Sequence, residues 1–167
     1  MGLSLIGGTM LRLSKLTDYA VVVLMRLGEA EPDCVQTAPG IARATGVPEP
    51  TVAKVLKALA QSGLVAATRG ARGGYRLTRP FATVAIADVI AAIDGPIALT
   101  ACVDGGSGSC EVACQCAVRG RWDLVNDAIR EALGAITLAD MHRASLPLAL
   151  RLPPAPALAS QPEPRHA

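Results

Sequence analysis

Four of the five cysteines, Cys102, Cys110, Cys114 and Cys116, fall within fifteen residues, with seven, three and one residues between neighbours. The intervening residues are rich in Gly, Ser and Asp, so packing does not explain the thiols. Thiolates in such a cluster suit soft metal ions. Structural zinc sites pair ligands two to four residues apart, and only Cys110 and Cys114 come near that. An iron–sulfur cluster also takes thiolates and tolerates irregular loops, and a disulfide switch is a third reading. Spacing leaves these open. Cys34 stands apart between the first two helices and reads as a buried or bland thiol. The chain opens Met1-Gly-Leu-Ser-Leu-Ile, without the basic start of an export signal. No apolar run approaches the ~18 residues of a membrane span. The expectation is a cytoplasmic protein in a reducing compartment, where cysteines act as ligands or redox groups more often than as disulfides.

The elements that must position this loop are mostly helical. Hydrophobic residues make up 51% of the chain, yet it has one Phe, one Trp and two Tyr, so its core is Ala, Val, Leu and Ile. Ser14 to Gly28 reads as a helix with Ser14 as N-cap and Leu16, Ala20, Val23, Leu24 and Leu27 on one face. A short helix spans 38–44 behind Thr37, with Pro39 tolerated in its first turn. A third runs from Pro50 to Gln61, burying Val52, Val55, Leu56 and Leu59. Ala42, Gly46 and Val52 supply what a helix-turn-helix needs: a small contact residue, a residue tolerant of positive φ, and an apolar anchor.

Residues 64–68 and 75–77 read as two strands joined by Arg69-Gly-Ala-Arg-Gly-Gly74, a basic glycine-rich hairpin. A helix-turn-helix followed by such a hairpin is a winged helix. Charge agrees: residues 10–80 hold ten Lys/Arg against five Asp/Glu, and the remainder six against nine, an asymmetry suited to phosphate. A fourth helix, 84–93, ends at Asp94-Gly95-Pro96. A single long helix from Arg121 to Met141 is expected to follow, its Trp122, Val125, Ile129, Ala132 and Ile136 forming a seam for a second copy.

Met10 to Ala20, the Arg69-Gly…Gly73-Gly-Tyr-Arg-Leu77 wing, Val89-Ile…Asp94-Gly-Pro96 and the cysteine loop before Trp122 together resemble the Rrf family of bacterial regulators, which includes the Isc and Suf iron–sulfur assembly repressors. The run Gly95 to Cys102 and the segment ending at Met141 look closest to the Suf-type branch. The resemblance implies a homodimer whose iron–sulfur cluster, two-iron or four-iron, alters binding to operator DNA. It implies Cys102, Cys110 and Cys116 as cluster ligands. Where some members place a histidine ligand, this chain has Arg119, which offers no lone pair. Another branch uses an aspartate from the partner subunit's first helix, and Asp18 matches it. Cys114 and Glu111 compete for that role.

The fold expected is mainly α: a winged helix-turn-helix with a two-stranded wing, plus a long C-terminal dimerisation helix. Its parts are a disordered leader or mis-assigned start (1–9), the DNA-binding domain (10–80), a connecting helix (81–96), the cysteine loop (97–120), the dimerisation helix (121–142) and a disordered Pro/Ala-rich tail (143–167). Glu49, Pro50, Thr51 and Lys54, at the exposed start of the third helix, are placed to reach base edges. Lys15, Lys57, Arg69 and Arg72 are assigned to phosphate or the minor groove. No nucleophile–base pair or phosphate loop suggests an enzyme. The expected function is an iron–sulfur-sensing transcription regulator. Its rivals are a zinc- or thiol-based regulator of the same fold and a winged-helix protein-interaction module.

Overall fold

A computed structural model describes residues 13–30, 34–70, 73–103, 116–118 and 120–143. Arg72, Cys110, Glu111, Cys114 and Arg119, together with the expected leader and almost all of the expected tail, lie outside them.

Helix α1 (Lys15–Gly28) starts where Ser14 Oγ accepts the Thr17 N–H at 3.2 Å. Its stripe of Thr17, Ala20, Val23, Leu24 and Leu27 is buried at helical spacing. Thr37 caps α2 (Ala38–Thr45) through the Gly40 N–H. Gly46, at φ +73°, closes α2 in the left-handed region that a side chain would resist. Helix α3 (Glu49–Gln61) buries Val52, Val55, Leu56 and Leu59 against α1 and presents its other face outward. The expected helix-turn-helix geometry is what forms.

Strands β1 (Val65–Thr68) and β2 (Gly74–Leu77) pair antiparallel, Val65 opposite Leu77 and Thr68 opposite Gly74. A contact that sequence did not announce ties this wing inward. Gln36, between α1 and α2, exchanges two main-chain hydrogen bonds with Tyr75, at 2.9 and 2.8 Å. A Cβ at Gly74 would sit 2.7 Å from the Gln36 carbonyl oxygen, so only glycine admits the approach. Where the connecting helix was expected to begin, a short 3₁₀ turn at Phe81–Thr83 lays the Phe81 ring over Gly28. Helix α4 (Ile86–Asp94) buries Ile86, Val89 and Ile90 and completes the core beside α1 and α3.

The expected single helix from Arg121 to Met141 is corrected to two. Helix α5 (Trp122–Gly134) stops, Ala85 and Thr137 form a β-bridge, and α6 (Leu138–Arg143) begins. Main-chain bonds Ile86 N–H to Ile136 O and Leu138 N–H to Val84 O, both 2.9 Å, compete with helix continuation and win. Thr137 and Asp140 then cap α6 reciprocally: Asp140 Oδ2 accepts the Thr137 N–H at 3.0 Å, and Thr137 Oγ1 accepts the Asp140 N–H at 3.2 Å. Leu138 is fully buried. The proposed seam is thereby divided. Ile129 and Ile136 are half-buried, whereas Trp122 and Val125 are exposed at 39% and 43%, beside Leu124 at 79%. Among the described residues no helix is long and apolar enough to cross a membrane.

Candidate functional site

The outward face of α3 follows from its buried one. With Val52, Val55, Leu56 and Leu59 turned inward, Glu49, Pro50, Lys54 and Lys57 are exposed, and Thr51 is half-buried at the helix start. Lys54 and Lys57 are three apart and share a face. Arg69 is exposed where β1 runs out toward the wing tip. Lys15, exposed at the start of α1, holds its Nζ 5.6 Å from the centre of the Tyr19 ring, within cation–π range.

Two further cations are exposed. Arg43 is exposed in the last turn of α2, and Arg76 is exposed on β2 opposite Ala66. Strand alternation, with Tyr75 and Leu77 half-buried on either side, was the signal for Arg76. Ion pairing separates these cations from others. Arg26 pairs with Glu29 at 2.9 Å, Arg79 with Asp88, and Arg143 with Asp140 at 3.5 Å. No described carboxylate pairs with Lys54, Lys57, Arg69 or Arg76. Among the described residues their charge is unneutralised.

The described part of the cysteine loop has no helix or strand. Cys102 is exposed, its Sγ 3.2 Å from Thr100 Oγ1, and the adjacent Val103 is buried. Cys116 is half-buried at the far end. Both thiols flank the stretch holding Cys110, and an exposed and a half-buried thiol are sound donors for iron or zinc. Among the described residues no three His, Cys, Asp or Glu side chains converge, so Asp18 joins no such cluster with any of them. Asp18 is exposed in the first turn of α1, lining a groove of about 780 Å³ with Leu13, Val21, Ile86 and Met141. Cys34 is exposed at the opposite end of α1, in a separate cavity beside Phe81.

Asp94 joins the loop to α1. Its Oδ2 accepts from Thr17 Oγ1 at 2.7 Å and from the Ser14 N–H at 3.2 Å. Burial pushes this carboxyl up, but the hydrogen bonds from Ser14 and Thr17 outweigh it and hold the pKa below the usual 3.8.

Comparison with known proteins is consistent with this architecture. The Rrf2 family, described as an iron-dependent transcriptional regulator, matches residues 13–144. Protein aau3 of Rhizobium meliloti (strain 1021) is 34% identical over 134 residues, covering 80% of this chain and 86% of that protein. Among solved structures, CymR (YrzC), the global cysteine regulator of B. subtilis, superposes with a TM-score of 0.62 at 25% identity, covering 82% of this chain and all of that one. IscR of T. potens superposes with a TM-score of 0.57 at 28% identity, covering 81% and 89% of the two chains. The chain belongs to the Rrf2 family, whose members regulate transcription rather than catalyse reactions.

Proposed function

We propose that this regulator binds double-stranded operator DNA as a homodimer and senses iron–sulfur cluster status through Cys102, Cys110 and Cys116, most specifically at a Suf-type assembly operon. The observation that carries the DNA half is the exposed set Lys54, Lys57, Arg69 and Arg76, which no described carboxylate neutralises. In this reading α3 enters the major groove, with Glu49, Pro50, Thr51 and Lys54 at base edges. Lys15, Lys57, Arg69 and Arg72 hold phosphate, and Arg43 and Arg76 extend that positive rim. The exposed end of α5, Trp122, Leu124 and Val125, packs on a second copy.

The three cysteines hold the cluster as thiolates, and Asp18 of the partner subunit is its fourth ligand, with Cys114 and Glu111 as substitutes. A bound cluster supplies a centre whose oxidation or loss changes the charge and packing of this loop. An oxygen ligand is the weakest of the four, which suits a site meant to respond. Anaerobic purification with iron and sulfide analysis tests this. Cys102→Ala is expected to abolish the visible chromophore, and Cys34→Ala to leave it intact. A colourless wild-type protein without iron or sulfide would overturn the cluster.

A second reading keeps the DNA interface and drops the cluster. Similarity to CymR, a cysteine regulator, supports it. Regulation would then act through thiol chemistry or zinc at the same loop. Stoichiometric zinc without sulfide, or operator binding that responds only to thiol oxidation, would favour it.

A further inference from the structure

The chain between α4 and Cys102 is gripped at two points that the DNA-facing surface does not use. At its start the Asp94 carboxylate reaches the N-terminus of α1, accepting from Thr17 Oγ1 and the Ser14 N–H. Thr17 is 1% exposed, and Ser14 is the residue that caps α1. A carboxylate there also meets the positive end of the helix dipole. Gly95, at φ +90°, then redirects the chain toward Pro96.

The second grip is Asn126 of α5, itself 1% exposed. Its Oδ1 accepts the Leu99 N–H at 3.0 Å, and its Nδ2 donates to the Ile97 carbonyl at 3.2 Å. One amide thus satisfies two main-chain groups two residues apart in the chain. A leucine would pack α5 against the core as well. What only the amide satisfies is the loop backbone, and its removal leaves two main-chain groups unpaired. Beyond Cys102, buried Val103 holds the other side.

We infer that Asn126 and Asp94 are positioning residues that couple the cysteine loop to the first turn of α1. A displacement at Cys102 pulls on Leu99 and Ile97, and through the short link to Asp94 it reaches Ser14 and Thr17. That turn also carries Asp18, and α1 packs along α3. The inference rests on reading the loop as the sensing segment, but its test needs no cluster.

The test uses the full-length apo chain in anaerobic reducing buffer, with amide hydrogen exchange and the rate of iodoacetamide alkylation at Cys102 as readouts. Asn126→Leu is expected to raise exchange at Leu99 about fivefold or more. It should also speed alkylation of Cys102 and raise exchange at Ser14, leaving Val55 and Leu56 protected. Asp94→Ala should raise exchange at Ser14 and, through the link, at Leu99. Asp94→Asn, which keeps an oxygen acceptor, should restore both. If Asn126→Leu does not fold, Asn126→Ala removes the same bonds without added bulk. Exchange that rises only at each variant's own hydrogen bonds, with Cys102 alkylating at the wild-type rate, overturns the coupling. Absence of iron and sulfide in the wild type would sink the cluster reading instead, and would leave this result standing.

Discussion

The salt dependence of DNA binding can be worked out from the charged surface. Lys57 and Arg69 are exposed, no described carboxylate pairs with them, and both are assigned to phosphate. Adding Lys15 and Arg72 gives about eight phosphate contacts in the proposed two-fold dimer, and a slope of log affinity against log salt of about −7. Between about 50 and about 200 mM salt, affinity should then fall about 10⁴-fold. The double variant Lys57→Ala/Arg69→Ala removes about four contacts, which halves the slope and reduces the fall to about 150-fold. Fluorescence anisotropy with a labelled duplex of about 30 base pairs measures this, and its sequence is immaterial because the counterion term is sequence-independent. Thr51→Ala should leave the slope unchanged while shifting preference among operators. A double variant that keeps the wild-type slope would refute the assignment of these two cations to DNA.

Three other outcomes follow from the packing. Leu138→Ala should cost about 2–5 kcal/mol, because the side chain is fully buried where α6 meets the core; urea unfolding checks it, and a loss below about 1 kcal/mol would show that α6 is a loose appendage. Asp94 has a lowered folded pKa, so its contribution is complete above the unfolded value of 3.8 and disappears as pH falls through the folded one. Asp94→Asn should therefore flatten the acid limb of the stability curve below that value, and an unaltered limb would discount the Thr17 and Ser14 hydrogen bonds. Val125→Asp should dissociate the proposed dimer without unfolding the chain, since Val125 is 43% exposed within a protomer; sedimentation showing a wild-type monomer at micromolar concentration would end that proposal.

The first half of the chain was legible because local rules and packing agree there. Ser14 and Thr37 cap the helices they were expected to cap, Gly46 turns where positive φ was required, and the α3 stripe is buried as its spacing demanded. What escaped depends on partners distant in sequence. The Gln36–Tyr75 exchange is pure main chain and leaves no side-chain mark, although Gly74 is its trace. The break after α5 lay in plain view as Thr137-Leu-Ala-Asp140, a capping pattern, but the apolar spacing of Ile129 and Ile136 runs through it and reads as continuity. Of the candidate site, Lys54, Lys57 and Arg69 were legible as charge beside a buried stripe, whereas Asp94 read only as a helix stop because its partners lie on α1.

The Gln36 link has a geometric consequence. It sews β2 to the connector of the first two helices, so the root of the wing is joined through main chain to the helices behind it. A regulator assembled from two such pieces gains little by reshaping either reading surface. What remains adjustable is the distance and tilt between them. A signal would then be written as pitch, in the separation of half-sites that the pair tolerates. If the proposed dimer signals in this way, operators lengthened by a single base pair between half-sites would separate its signalling states more sharply than operators with altered bases.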